Sequence, residues 1–182
     1  MQKIHAVLLS ICVSMCSLAG CLGGNEEISD DLFPSFETVA DDGNTYSLDS
    51  TNGPFIAIFS AEWCDNPCHS TMHNIWEYQE GLQVYVFSTD PDENPRNISL
   101  SDWKESADNY DDEYDENGQI ADEGVTLDTY KFMKGHDVGL EIGIDRPGHV
   151  LFVNSENVIT YDHKGILDDQ GLIQEKWEEA SA

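Results

Sequence analysis

The chain has 182 residues, of which 36 are aspartate or glutamate and 8 are lysine or arginine, so its formal net charge at pH 7 is −28. A surface this acidic repels nucleic-acid phosphates and anionic lipid headgroups, which excludes a nucleic-acid partner. The length suits a single domain with a sizeable core. The charge alone identifies no partner, since it also suits a solvated surface in a saline exterior.

The first twenty residues predict a secretory signal peptide, because they contain Lys3, no acid and an apolar run from Ala6 to Leu18. This run is short for a bilayer span of about 20 residues, which makes a transmembrane anchor the weaker alternative. The sequence Leu-Ala-Gly-Cys ending at Cys21 resembles the lipobox of prokaryotic lipoproteins. That resemblance implies cleavage before Cys21, a lipid on its thiol, and an extracytoplasmic location anchored to the cell membrane.

After the signal peptide (residues 1–20), residues 21–32 are small and acidic, which predicts a flexible tether ahead of one domain over residues 33–182. Within that domain, the segment from Phe36 to Leu48 predicts a β-hairpin around an Asp-Gly turn. The continuous apolar run from Phe55 to Phe59 predicts a strand buried on both faces.

Cys64 and Cys68 follow this strand, and the spacing of Met72 and Ile75 predicts that a helix comes next. Cys68 shares the face of Met72, so we expect it to be the buried thiol and Cys64 the exposed one. A thiolate at a helix N-terminus is stabilised by the helix dipole. The other three cysteines belong to the signal or the lipid anchor. A lone pair four positions apart removes little chain entropy as a crosslink, which favours a reactive pair or a soft-metal site.

The second half of the domain continues an α/β pattern. A buried strand at Val84–Phe87 predicts a right-handed parallel strand–helix–strand crossover. The remaining predicted elements are helices at Leu100–Tyr110 and Leu127–Met133 with the acidic segment 108–123 between them, strands at His149–Val153 and Val158–Tyr161, and a last helix through Leu172 to Trp177 capped by Asp168 or Asp169.

Three blocks of this sequence resemble the extracytoplasmic thioredoxin-like proteins of the TlpA/ResA and redoxin type. They are the Asp-Gly hairpin, the segment from Phe59 to Cys64 followed by Pro67-Cys68, and the segment from Pro147 to Glu156. The resemblance covers the chain from Phe36 to the C-terminus. It implies an α/β, thioredoxin-like fold: a central mixed β-sheet flanked by helices, with an N-terminal hairpin and an acidic insertion before the cis-proline segment.

The resemblance also implies roles for individual residues. Cys64 is expected to attack a partner disulfide and Cys68 to resolve the product, with Pro147 as the cis-proline facing them. Apart from the resemblance, Trp63 is expected either to shield the disulfide or simply to pack. The chain departs from thioredoxins in two ways. Three residues separate the cysteines instead of two, and Ile58 stands where many thioredoxins carry a buried acid.

The three-residue spacing resembles the Sco family of copper-delivery proteins, which have the same fold and a membrane anchor. That resemblance implies a copper site formed by Cys64, Cys68 and His149. Two thiolates and an imidazole suit Cu(I). His149 lies close to the expected position, although it directly adjoins a predicted strand.

Other candidates carry weaker signals. His69 and His73 share a helix face and could bind a metal, but solvated surface histidines are the more frequent outcome. His136 and Glu62 are expected to be a plain loop histidine and a surface carboxylate. The segment 111–124 lacks the pattern of a complete calcium loop, because Gly124 replaces the bidentate acid. Asn97 begins a glycosylation sequon.

These observations predict a membrane-anchored thiol-disulfide oxidoreductase that needs no cofactor. Its partners would be protein thiols or disulfides and a membrane redox partner. The alternative is a Sco-like copper chaperone. A third hypothesis is a docking module with an inert cysteine pair.

Overall fold

The structure is a computed structural model, and it describes residues 32–91, 98–110, 113–114, 120–121 and 125–182. The predicted signal peptide, lipidated Cys21, almost all of the tether, the sequon at Asn97 and most of the calcium-loop candidate lie outside the described residues. The strands are β1 (Glu37–Val39), β2 (Thr45–Ser47), β3 (Phe55–Ser60), β4 (Val84–Ser88), β5 (Glu113–Tyr114), β6 (Ile120–Ala121), β7 (Lys131–Lys134), β8 (His149–Val153) and β9 (Ile159–Lys164). The helices are α1 (Ser70–Tyr78), α2 (Leu100–Asp108), α3 (His136–Glu141) and α4 (Gln170–Ala180).

A five-stranded sheet with the order β7-β4-β3-β8-β9 forms the centre of the fold. Strand β3 pairs in parallel with β4 and antiparallel with β8, and β4 pairs in parallel with β7. The sheet is therefore mixed and flanked by helices, which confirms the predicted α/β class. The pair β3 and β4, connected through α1, is the predicted parallel crossover.

Two apolar cores explain why β3 is hydrophobic at successive positions. Ile56 and Ile58 pack into a core that contains residues of α1, α2 and α4. Phe55, Ala57 and Phe59 point to the opposite face, into a second core with the N-terminal hairpin. Because side chains of a strand alternate between faces, a strand covered on both sides must be apolar throughout.

The N-terminal hairpin has the predicted position and turn. Strands β1 and β2 pair antiparallel, and Gly43 at the turn has φ of +77°, a conformation that favours glycine. The Asp42 carboxylate accepts hydrogen bonds from the Asn44 backbone N–H at 2.9 Å and the Tyr46 hydroxyl at 2.8 Å. The hydrogen bonds of the Asp42 carboxylate are therefore made within the hairpin itself.

One predicted element is wrong and three short elements were missed. The segment predicted as a helix at Leu127–Met133 contains instead the start of β7, paired in parallel with β4. Phe132 packs into one core and Met133 into the other, which is the alternation of a doubly covered strand. The short apolar run did not distinguish the two structures. The sequence analysis also did not predict α3 or the short antiparallel pair of β5 and β6.

Helix α4 begins at one of the two predicted caps. The Asp169 carboxylate accepts hydrogen bonds from the backbone N–H groups of Gly171 at 2.9 Å and Leu172 at 3.1 Å. We expect Asp169→Ala to lower the free energy of unfolding by about 1 kcal/mol, because these N–H groups lose their acceptor. Urea unfolding measures this change. Asp168→Ala is the matched control, and an equal loss in both variants would contradict the assignment of the cap.

Candidate active site

The two cysteines lie directly after the central strand. Strand β3 ends at Ser60, and the Cys64 N–H donates to the Ala61 carbonyl at 3.0 Å, which closes a tight turn. Cys64 and Cys68 form a disulfide with their Cα atoms 5.5 Å apart. Cys68 is 1% exposed, as expected, but Cys64 is only 6% exposed. The expectation of an exposed Cys64 is wrong, because the turn folds its sulfur against Ala61.

The backbone between the cysteines is not a regular helix. Asn66 has φ of −114° and ψ of 120°, which interrupts the turn Asp65–His69 before α1 begins at Ser70. The Asn66–Pro67 peptide bond is cis. Cys68 thus lies on the helical side of this kink, and Cys64 lies before it rather than at the first turn of α1.

Cys64 borders an open pocket of about 630 Å³. Trp63 and Pro67 line this pocket next to Cys64, and three other segments complete it: the loop after β4, the start of α3 and the segment before β8. Trp63 is 48% exposed, and its indole N–H donates to the Asp90 carboxylate at 3.4 Å. The disulfide is therefore accessible from one side, through Cys64 and beside an exposed indole ring.

Pro147 lines the same pocket, but the prediction that it is a cis-proline is wrong. Among the described residues, the cis peptide bond is Asn66–Pro67. An X–Pro bond is trans in most contexts, and nothing in the sequence around Arg146 overrides that preference. Gly148, with φ of +100°, donates its N–H to the Phe59 carbonyl at 2.8 Å. This bond holds the Pro147-Gly148 corner against the end of β3.

His136 is a pocket residue rather than a plain loop histidine. Its Nδ1 lies 2.7 Å from the Thr89 carbonyl oxygen, and because a carbonyl only accepts, Nδ1 is the protonated nitrogen. The Thr89 N–H and hydroxyl both donate to the Ser60 carbonyl, at 2.8 and 3.2 Å. Gly135 brings α3 close, since a Cβ there would lie 2.5 Å from the Phe87 ring.

His149 takes a different position. It begins β8 opposite Phe59, and its Nδ1 lies 3.3 Å from the Asp162 carboxylate. It is not among the residues lining the pocket beside Cys64. The part of the chain that the structure describes contains no group of three or more His, Cys, Asp or Glu side chains placed to hold a metal. The predicted copper ligands are therefore not assembled in this disulfide-bonded form.

Glu62 lies beside the cysteine segment without lining the Cys64 pocket. It borders a separate small cavity with Trp103 and Lys134. The residue is only partly buried, which agrees with the expected surface carboxylate.

His69 and His73 are buried, not solvated, at 0% and 4% exposure. The His73 Nε2–H donates to the Ala107 carbonyl at 2.7 Å, and both rings make edge contacts with the Tyr110 ring. Burial lowers the pKa of His69 to about 4, an effect that the Asp65 carboxylate opposes and His73 reinforces. The sequence analysis missed this burial because it considered α1 without the segment that covers it.

Known proteins of similar structure share this fold. No protein-family model matches the chain, and no curated protein matches it. BsSco, a member of the Sco family of cytochrome c oxidase assembly proteins, has a TM-score of 0.64 and 17% identity, covering 85% of this chain and 95% of its own. A SCO1/SenC family lipoprotein from Bacillus anthracis has a TM-score of 0.57 and 13% identity, covering 88% and 100%.

The thioredoxin domain of a thiol-disulfide oxidoreductase from Bacteroides vulgatus has a TM-score of 0.55 and 16% identity, covering 80% of this chain and 95% of its own.

 These likenesses confirm the thioredoxin-like fold that the resemblance implied, and at such identities they show the fold alone. Within the described residues, no helix is long and apolar enough to cross a membrane.

The buried His69 makes stability depend on pH. Its folded pKa of about 4 lies below the ordinary histidine value of 6.5, so between these values the unfolded chain binds a proton that the folded chain does not. The contribution of neutral His69 to the free energy of unfolding is therefore fully present above pH 6.5. It decreases as the pH drops towards 4, by up to about 3 kcal/mol. Urea unfolding at pH 7 and pH 4.5 measures the loss.

The matched variants separate His69 from the many carboxylates that also titrate in this range. We expect His69→Phe, which keeps a ring against Tyr110, to lose less stability than the wild type between the two pH values. His163→Gln should behave like the wild type. An equal pH dependence in wild type and His69→Phe would contradict the assignment.

Proposed function

We propose that the protein is a thiol-disulfide oxidoreductase that exchanges disulfides with partner proteins. The observation that carries this proposal is the disulfide between Cys64 and Cys68, placed at the end of the central strand and bordering an open pocket through Cys64. Thiolate attack on a disulfide needs access to one sulfur along the S–S axis. A pair buried on every side would not meet that requirement.

The difference in burial assigns the two cysteines their roles. In the reduced protein, the Cys64 thiolate attacks a partner disulfide, forms a mixed disulfide and releases one partner thiolate. The Cys68 thiolate then attacks the Cys64 sulfur, which restores the Cys64–Cys68 bond and releases the second partner thiolate. Two electrons pass to the partner. Cys68 is 1% exposed, so a partner reaches only Cys64. The reverse sequence oxidises a partner dithiol.

The remaining pocket residues have supporting roles in this proposal. Trp63 and Pro147 line the pocket on either side of Cys64, where they would contact the partner segment and limit water access. The chemistry needs no cofactor, only a second redox partner that regenerates the pair.

The location is also a proposal, and the sequence supports it. We propose that residues 1–20 are removed, that Cys21 carries a lipid, and that residues 21–32 connect this anchor to the domain over 33–182. A disulfide enzyme outside the cytoplasm works where disulfides persist. The regenerating partner would then be a membrane redox protein.

Single cysteine variants test the assigned roles. We expect Cys68→Ser to accumulate a mixed disulfide between Cys64 and a peptide disulfide, because the resolving thiol is missing, whereas Cys64→Ser should form no adduct. Intact-mass spectrometry measures the adduct, and reduction of a peptide disulfide measures turnover, which both variants should lose. Each variant carries the same atomic change and so controls for the other. Adduct formation in Cys64→Ser alone would reverse the assignment.

Copper delivery is the competing hypothesis, and its expected ligands are Cys64, Cys68 and His149. His149 does not border the pocket beside Cys64, so binding by the two thiols and His149 would require a rearrangement on reduction. We expect anaerobic Cu(I) titration of the reduced protein to give the same affinity in wild type, His149→Ala and the control His163→Ala. Tight one-to-one binding that only His149→Ala loses would favour the copper-delivery function instead.

A further inference from the structure

The pocket beside the disulfide has a surface suited to a cation. Trp63 directly precedes Cys64 and is 48% exposed, and its hydrogen bond to Asp90 fixes the orientation of the ring. The face of an indole ring attracts a lysine or arginine side chain more strongly than the other aromatic rings do. An oriented and exposed indole next to the accessible sulfur is therefore a contact for a basic side chain of the partner.

The charges around the pocket favour the same partner. Asp90 and Asp145 line it, and Arg146 is the cation among its described lining residues. The Arg146 side chain is 81% exposed, and its Nε lies 3.9 Å from the Asp145 carboxylate. Asp65, between the two cysteines, has a side chain 71% exposed. Carboxylates thus outnumber cations beside the disulfide.

We infer that this pocket selects partner segments in which a lysine or arginine adjoins the reacting cysteine, with the basic side chain held by the Trp63 ring and the carboxylates of Asp90 and Asp145. The inference rests on the proposed function and names its substrate class. The pocket is also lined by Pro67 and Pro147. These two apolar rings would contact the backbone of such a segment. Opposite charges across an interface set partner choice and association rate.

The step that reveals this preference is the opening of the protein disulfide by a peptide thiolate. The peptide sulfur attacks the Cys64 sulfur, a peptide–Cys64 bond forms, the Cys64–Cys68 bond breaks, and Cys68 leaves as a thiolate. Three peptides of equal length, each with one cysteine flanked by arginine, glutamine or glutamate, differ only in the charge beside the sulfur. The rate constant is calculated per thiolate, from the separately measured thiol pKa of each peptide, so that thiol acidity does not enter the comparison.

At low ionic strength we expect the arginine peptide to open the disulfide about tenfold faster than the glutamate peptide, with glutamine between them. At about 1 M salt the screening length is about 3 Å, so attraction to the whole acidic surface is lost and contact interactions remain. An arginine-to-glutamine ratio that stays above one at this salt concentration supports a local site. A ratio of one there, or faster reaction of the glutamate peptide, overturns the inference.

Variants distinguish the pocket from the net charge of −28. Asp145→Asn and Trp63→Leu should each lower the arginine-to-glutamine ratio. Asp49→Asn removes the same charge from an exposed residue in the turn that precedes β3, at the opposite end of that strand from Cys64, and should leave the ratio unchanged. Equal decreases in Asp145→Asn and Asp49→Asn would show a general charge effect and overturn the local site.

A neutral dithiol separates this inference from the proposed function. If dithiothreitol opens the disulfide and the three peptides react alike, the proposed function stands and the inference fails. If neither dithiothreitol nor any peptide opens it, the proposed function fails, and the inference fails with it.

Discussion

The structure depends on the pairing of β3 along both of its edges. Its six residues are all buried, and they pair with β4 on one side and β8 on the other. A strand fixed in this way has little freedom at its carboxyl end, and the cysteine turn begins there. The position of Cys64 is therefore set by the centre of the sheet rather than by a surface loop.

The same strand end also positions the other walls of the pocket. The Phe59 carbonyl accepts the N–H of Gly148, and the Ser60 carbonyl accepts both donors of Thr89. The Thr89 carbonyl in turn accepts the Nδ1–H of His136. Segments far apart in sequence thus meet through a chain of hydrogen bonds that starts at the last two residues of β3. A site built this way has a defined shape before a partner arrives, which lowers the ordering cost of binding.

The sequence predicted the features that local patterns determine. The run at Phe55–Phe59 identified the central strand because a strand buried on both faces needs no alternation. Asp169 was one of two predicted caps, since a side-chain acceptor before a helix satisfies free N–H groups. The fold itself came from the resemblance of three sequence blocks to thioredoxin-like proteins, and similar solved structures confirm it.

The features that failed depend on distant parts of the chain. Phe132 and Met133 form a strand because they pair with the edge of β4. The residues next to them in the sequence do not indicate this pairing. His69 and His73 were predicted to be surface residues, but Tyr110 packs against His69 and the Ala107 carbonyl accepts a hydrogen bond from His73. His136 came to the pocket through a hydrogen bond to Thr89, 47 positions away in sequence. The sequence alone did not contain the contacts that decide these cases.

The acidic composition has different consequences in different places. At the hairpin, Asp41 and Asp42 are compensated, since Lys104 and Lys131 lie 3.3 and 3.2 Å from their carboxylates. With only 8 lysines and arginines in the chain, such compensation cannot extend to most of the surface.

Beside the disulfide, the carboxylates of Asp90 and Asp145 share the pocket with Arg146. Carboxylates at this position repel an acidic partner segment and attract a basic one. A partner that brings a cation to the pocket avoids this repulsion while it docks. The charge preference would then act at the same place where a partner reaches the Cys64 sulfur, so docking and disulfide exchange would share one surface.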